Sequence, residues 1–426
     1  MANPAQRPGL WRHPDFLKLW TGQTISLFGS LIGRFALPLV AIYTLDAGPL
    51  PVALLGAANV APGLVLGLFA GVWVDRLRRR PLLIAADLGR ALALGSVPLA
   101  AWLGALGMAQ LYAVAMITSA LSILFEVAYR SYLPALVGRD ELVEGNSKLA
   151  ATDAVAEMGG FGLAGVIVQA LGAPIGVLVD AVSFLFSALA LLAIRTPERS
   201  RVAEDGEDEP STLREIGAGL RAIWAHPTLR AVVGAGITDI FFIHFFVAVL
   251  TLFLTRELGL GPATIGFIFA IGGVSAFVGA LLADRTIRRW GLGRSLIGSF
   301  LVYRFATFAI PLAAGPYAAQ VALLGASQVL DAAATIQQIS QNSLIQTTTP
   351  ERLLGRVNAS FQTLQQGAIL LGLLIGGVLG QTIGLRPTIV VGLTASLLSV
   401  IWLIRSPVAT RPDDAGGERS SESDLG

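Results

Sequence analysis

Apolar residues in this chain neither alternate with polar ones at strand period nor gather in a single stripe. They run in blocks of about 20 or more, the length an α-helix needs to cross a bilayer. Twelve blocks stand out, at 17–45, 52–74, 82–105, 110–133, 148–171 and 174–194, then at 229–255, 262–283, 294–314, 317–345, 357–383 and 387–404. Each predicts a membrane-spanning helix. Gly and Pro inside the blocks fit this reading, since membrane helices tolerate both. The turn Gly172-Ala173-Pro174 is so short that spans five and six must run antiparallel.

The pattern breaks at 195–212, RTPERSRVAEDGEDEPST, a charged stretch with Pro and Gly. Such a composition cannot build a core and reads as a linker. An amphipathic helix follows, with Thr212 and Glu215 at capping-box spacing and Leu213, Ile216, Leu220 and Ile223 at helical intervals. It is expected to lie on the inner membrane surface. The expected organisation is a six-helix half over 1–194, a linker over 195–228, a second six-helix half over 229–405, and a polar tail without fixed structure over 406–426. The fold class is all-α integral membrane, two pseudo-symmetric six-helix bundles.

Composition sharpens this. The chain is 54% hydrophobic and 14% charged, with a mean hydropathy of +0.70, whereas soluble domains carry about 25% charged residues. Lys and Arg number 30 against 28 Asp and Glu, so net charge gives no reason to expect a nucleic-acid partner. Position matters more than sum. On an N-inside topology the tails and inner loops collect most of the Lys and Arg, including Arg76, Arg78, Arg79 and Arg80 after span two and Arg285, Arg288 and Arg289 after span eight. The outer loops hold Arg256 and Arg386. Both termini are therefore expected in the cytoplasm. The N-terminus lacks the features of a cleavable signal peptide, so span one is expected to be retained.

The two halves repeat. Asn146, Gly160, Gly165 and Gly172 match Asn358, Gly372, Gly377 and Gly384 at an offset of 212. His13-Pro14 matches His226-Pro227 at 213, and Asp75-Arg76 matches Asp284-Arg285 at 209. Two repeats of six helices in the same orientation imply a pseudo-twofold axis along the membrane normal, with a substrate site near midplane.

The loop GVWVDRLRRRPLL, Gly71 to Leu83, resembles the signature of the major facilitator superfamily, G-x-L-a-D-R-x-G-R-[RK]-x-x-L, through Asp75, Arg76, Arg79 and Arg80. Arg78 stands where that signature has its second glycine. A degraded copy keeps Asp284, Arg285, Arg288 and Arg289. The opening HPDFLKLWTGQTISLFGS, His13 to Ser30, and the stretch LPALVGRDELVEGNSKL, Leu133 to Leu149, are similar to the third drug:proton antiporter family, which includes macrolide efflux pumps and the enterobactin exporter. The antiporter signature of span five is imperfect: GFGLAG, Gly160 to Gly165, has Phe161 where Pro would stand, and span eleven carries GLLIGG, Gly372 to Gly377. Small residues at this spacing also serve close helix packing. The resemblance implies that Asp75, Arg76, Arg79, Arg80, Asp284 and Arg285 form a conformational switch at the cytoplasmic face, and that spans one and seven line a central cavity.

Ionisable residues inside spans are costly and mark cavities or partners. They are Arg34, Asp87, Arg90, Glu126, Arg130, Asp153, Glu157, Asp180, Asp239, His244, Arg304 and Asp331. Asp87 and Arg90 are three apart and Glu126 and Arg130 four apart, so each pair can neutralise itself on one helix face. Gln23, Ser26, Ser30 and Arg34 form one polar stripe on span one. The repeat sets Asp239 of span seven against Ser26. Span ten adds Asp331, Gln337, Gln338 and Gln341, and span seven the aromatics Phe241, Phe242, Phe245 and Phe246 as candidate contacts for an apolar substrate. The candidate cavity or proton-coupling set is Asp239, Arg34, Glu126, Glu157, Asp331, Gln23, Ser26, Ser30 and Gln338, with Arg34 the expected partner of Asp239. A carboxylate buried at low dielectric favours its neutral form, so Asp239, Glu157, Glu126 and Asp331, in that order, are proton-carrier candidates.

The function expected is proton-coupled export of amphipathic small molecules, drugs, macrolide-like compounds or siderophores, by alternating access in a cell (inner) membrane. The alternative is a uniporter or a carrier of a metabolite or lipid-like substrate. The expected partners are the small-molecule substrate, protons and the lipid bilayer, with no cofactor and no metal. The two lysines, Lys18 and Lys148, do not follow glycine, which rules out a P-loop. There is no Cys and no His-E-x-x-His, and no nucleophile elbow is evident, so an enzyme is not expected.

Overall fold

The computed structural model describes residues 10–67, 73–74, 77–196, 212–406 and 408. Among these there is no strand, and twelve helices are long and apolar enough to cross a membrane. The first six are Pro14–Thr44, Pro49–Leu66, Arg79–Trp102, Met108–Val137, Leu142–Leu171 and Ala173–Ala193. The second six are Pro227–Glu257, Pro262–Trp290, Leu292–Leu312, Tyr317–Thr348, Glu351–Thr382 and Leu385–Ile404. The chain is thus the all-helical, twelve-span membrane protein that its hydrophobic blocks predict. The expected linker core and tail, 197–211 and 409–426, lie outside the described residues.

The repeat is visible in how the helices start and touch. Spans one and seven both open on His-Pro, and spans two and eight on Gly-Pro, Gly48-Pro49 and Gly261-Pro262. Proline suits the first helical position because its missing N–H has no intrahelical partner there. His13 completes the first cap by accepting from the Phe16 N–H at 3.1 Å. The matched Gly172 and Gly384 precede spans six and twelve with φ of 89° and 93°, a left-handed conformation that glycine adopts without strain. The other matched glycines are contact points. A Cβ on Gly160 would strike Leu31 of span one, and one on Gly372 would strike Phe241 and His244 of span seven. A Cβ on Gly165 would sit 3.0 Å from the Gly266 Cα of span eight, and one on Gly377 3.4 Å from the Leu50 Cα of span two. Pairings five–one and five–eight therefore recur as eleven–seven and eleven–two.

Contacts divide the chain into two units: 1–209 with 247–270 and 373–385, and 210–246 with 271–372 and 386–426. In the first, span one packs along span six, and span three lies against spans four and six. Gly22, Gly29 and Gly33 make the approach of span six possible, since a Cβ on each would meet Ala190, Ser183 or Asp180. A core of Phe16, Leu19, Leu83, Phe125 and Leu191 closes one end. There Asp15 accepts from the Thr196 N–H at 2.9 Å and the Thr196 hydroxyl at 2.6 Å, and pairs with Lys18 at 2.7 Å. Asp46 and Arg256 pair at 2.5 Å.

In the second unit span nine packs against the latter part of span ten. Span ten is interrupted at Leu330-Asp331, between helices Tyr317–Val329 and Ala332–Thr348. Ser275 of span eight bridges the break, donating to the Val329 carbonyl at 2.5 Å and accepting from the Ala332 N–H at 2.9 Å. The amphipathic helix forms at Thr212–Ala225, with the side chains of Thr212 and Leu213 outside the described set. It docks on span eleven. Ser360 of span eleven donates to its Ile216 carbonyl at 2.9 Å, and Gly219 lies against the Arg356 backbone. Ile223 is buried with Val232, Val357 and Phe361.

Candidate functional site

Each unit holds a buried arginine with acid partners beside a polar cavity. In the first, Asp87 and Arg90 stand one turn apart on span three, and both are buried. They form an ion pair, the self-neutralisation that their spacing allows. The Arg90 guanidinium lies between two aromatic faces, Phe125 of span four at 4.4 Å and Phe184 of span six at 4.0 Å, and donates to the Ser122 hydroxyl at 3.3 Å. Asp180, one turn before Phe184, is only 5% exposed. It lies within the field of Arg90 and accepts a hydrogen bond from the Ser30 hydroxyl at 3.4 Å. Gly33 makes the room it occupies, since a Cβ there would run into the Asp180 carboxylate. A second carboxylate thus lies in the field of the guanidinium that Asp87 binds.

A cavity of about 250 Å³ opens beside this cluster. Gln23, Ser26 and Ser30, three of the four predicted stripe residues, line it together with Arg90, Ser122, Glu126 and Asp153. Arg34, the fourth, is exposed and lies 5.9 Å from the Phe161 ring. Glu126 pairs with Arg130 at 2.5 Å with both side chains largely exposed. Glu157 is exposed and makes no salt bridge among the described residues.

In the second unit Asp239 of span seven is not the lone carboxylate expected, and its partner within the unit is one the sequence did not single out. Arg304 of span nine reaches it, donating from Nε at 3.1 Å and again from Nη2. Both are buried, Arg304 to 1% exposure, and the guanidinium packs on Phe300 and Tyr303 at 5.1 and 4.8 Å. Its third nitrogen, Nη1, has no hydrogen-bond partner among the described residues. The adjoining cavity measures about 540 Å³. Span ten lines it with Gln337, Gln338, Gln341, Asn342 and Gln346, span eleven with Asn358, Gln362 and Gln365. Gln338 is where the sequence places it. Asp331 does not line this cavity. It sits half-buried at the span-ten break, where a Cβ on Gly272 would come 3.5 Å from its Oδ2. Phe241, Phe242 and Phe245 pack edge to face at centroid separations of 4.9 to 5.5 Å and do not line this cavity.

Of the switch residues, Asp75 and Arg76 lie outside the described residues. Arg80 caps the end of span six, donating to the Leu191 and Leu192 carbonyls at 3.0 and 2.9 Å; a cation suits a helix C-terminus. Asp284 pairs with Arg288, both exposed, and Arg285 is exposed. Among the described residues no three His, Asp or Glu side chains converge as a metal ion requires.

Sequence reasoning named Asp180 and Arg304 as intramembrane ionisable groups but did not place them in the site. The available signal was the charges away from the span ends: two acids and one base, Asp87, Asp180 and Arg90, on spans three and six, and Arg304 on span nine, which has no acid of its own.

The model of the Major Facilitator Superfamily matches residues 19–373. An uncharacterized MFS-type transporter, YfiS of Bacillus subtilis (strain 168), is 25% identical over 414 residues, covering 95% of this chain and 96% of that protein. The multidrug efflux pump Tap of Mycolicibacterium fortuitum is 28% identical over 374 residues, covering 84% and 87%. Among solved structures, a bacterial homologue of iron transporter ferroportin in its inward-facing state superposes with a TM-score of 0.73 at 20% identity, over 95% of this chain and 100% of that one. At that identity the likeness speaks for the fold.

Proposed function

Since the chain belongs to the Major Facilitator Superfamily, we propose that it is a proton-coupled exporter of amphipathic small molecules, working by alternating access in a cell membrane. Family and fold are those of multi-pass membrane transporters. Export is favoured by the relatives that are multidrug efflux pumps. In this reading 1–194 and 229–405 are the two moving halves, joined by a cytoplasmic linker at 195–228, with both termini cytoplasmic. The turn bearing Asp75, Arg76, Arg79 and Arg80, and its copy at Asp284 and Arg285, holds and releases the inner gate.

The observation that carries the coupling is the surplus acid of the first unit. Arg90 can neutralise one carboxylate, and Asp87 is already bound to it. An unpaired charge at the centre of a span costs about 2.5–3.5 kcal/mol. With Asp180 protonated the cluster is neutral. With Asp180 ionised it carries one net negative charge. Any rearrangement that changes how well Arg90 reaches both acids, or how much water enters, shifts the balance between these states. Ser30 touches Asp180 and also lines the cavity, so it supplies the route for the proton. Asp239, first among the candidates from sequence, is held by Arg304 and serves as a fixed pair.

The test is Asp180→Asn in everted vesicles. Gradient-driven accumulation is expected to fall at least tenfold, while substrate exchange without a gradient persists. Gradient-driven transport at the native rate removes Asp180 as the carrier. A native protein whose flux ignores the proton gradient is a uniporter or metabolite carrier instead.

A further inference from the structure

The cavity of the second unit has a wall of unusual chemistry, and we infer from it the class of ligand: a hydroxyl- and carbonyl-rich solute, uncharged or anionic, in place of a lipophilic cation. This deepens the transporter reading, since it concerns what the exporter carries, but the binding claim stands on the wall alone.

Eight of the sixteen lining residues are Gln or Asn. If these amides served to tie helices together, they would be hydrogen-bonded across the spans. Apart from Gln337, which lies against Asp239, they make no hydrogen bond within the protein among the described residues. Each carboxamide offers a carbonyl acceptor and two N–H donors, so the wall presents a field of paired donors and acceptors, which a hydroxyl or a carbonyl satisfies and an aliphatic or quaternary cation does not. Leaving such groups unmatched against an apolar ligand sacrifices their hydration without return.

Electrostatics points the same way. A lipophilic cation needs an open carboxylate or an aromatic face. The carboxylate on this wall, Asp239, is taken by Arg304. Arg304, also on the wall, is buried and bound to Asp239, so the pair is neutral as a whole and gives a cation no net attraction. The aromatic residues on the wall are Tyr303 and Phe361, and the Tyr303 face is covered by the Arg304 guanidinium. The volume of about 540 Å³ falls within the range that holds drug-sized ligands.

The experiment uses the purified full-length protein in lipid nanodiscs, free of glycoside detergent. Binding isotherms are measured for two probe sets: adenosine, uridine, a flavonoid glucoside and a tris-catecholate on one side, ethidium and tetraphenylphosphonium on the other. At least one oxygen-rich probe is expected to bind saturably, with neither cation competing. Gln338→Leu and Gln341→Leu should each weaken that binding about tenfold while the thermal midpoint holds. The inference is overturned if none of the oxygen-rich probes binds, if a cation binds at this site, or if folded Gln→Leu variants bind as the native protein does. Amide-dependent binding without proton-driven flux refutes the coupling reading and leaves the ligand class standing.

Discussion

Arg90 on span three and Arg304 on span nine occupy corresponding spans of the two repeats. Each is a buried guanidinium packed on two aromatic rings and bound to an aspartate. Their partners differ. Arg90 takes its aspartate from its own helix, one turn away, and leaves a second, Asp180, on span six. Arg304 takes its aspartate from span seven, and the carboxylate has a single guanidinium to itself. Their cavities differ as well, hydroxyl-lined and about 250 Å³ beside Arg90, carboxamide-lined and about 540 Å³ beside Arg304. Corresponding spans thus carry two different charge arrangements, one guanidinium with a second carboxylate nearby in the first unit and one matched pair on a carboxamide wall in the second.

The comparison is broken most forcefully at Arg304. Arg304→Met should destabilise the protein by about 3–5 kcal/mol, because it strands a buried carboxylate. Asp239→Asn combined with Arg304→Met should recover most of that loss, since no charge is then left unpaired. Chemical denaturation followed by circular dichroism reads both. A single variant as stable as the native protein would mean that Asp239 does not depend on Arg304, and the balanced pair would be no pair.

A smaller effect separates the two cavities through one glycine in each unit. At Gly33 an added Cβ would lie 2.9 Å from the Asp180 Cβ and closer still to the carboxylate, a stiff buried side chain. At Gly236 of span seven the clash is with the amide tip of Gln341, which can swing away. Gly33→Ala should therefore cost about 1–3 kcal/mol through overpacking and disturb coupling, whereas Gly236→Ala should stay within about 1 kcal/mol. Thermal unfolding of the two variants in the same nanodiscs tests the ordering, and the reverse ordering would show that the Asp180 pocket is the looser of the two.

The helices were legible in the sequence because crossing a bilayer demands long apolar runs, and twelve such runs leave little choice of fold. The repeat was legible in Gly160, Gly165, Gly172 and their matches because each marks a contact or turn that both halves need. The Asp87–Arg90 pair was legible because helical geometry sets residues three apart side by side. Asp239–Arg304 was not: its members are 65 positions apart, and sequence spacing says nothing about which spans face each other. Asp180 was hidden for the same reason, since its significance comes from sharing Arg90 across spans. The phenylalanines of span seven stayed open in the sequence because a helical run of aromatics looks alike whether it faces a ligand or packs on itself, as Phe241, Phe242 and Phe245 do.

The smallest expected effect belongs to Glu126, which the sequence ranked among the proton carriers. It lines the same cavity as Ser30 and Arg90, so position alone would admit it. Its charge, however, is matched by Arg130 one turn on, at 2.5 Å, and the side chains are 61% and 76% exposed. Exposed i,i+4 pairs contribute about 0.3–0.5 kcal/mol, so breaking this one costs little. A contact worth so little has little with which to drive a conformational cycle. Glu126→Gln should therefore shift stability by less than about 0.5 kcal/mol and leave gradient-driven flux within about twofold of native, under conditions where Asp180→Asn abolishes it. Measured side by side in everted vesicles, the opposite result, with flux lost in Glu126→Gln and kept in Asp180→Asn, would move the proton from the buried cluster to the cavity mouth. The second carboxylate beside Arg90 would then be a packing feature of spans one, three and six.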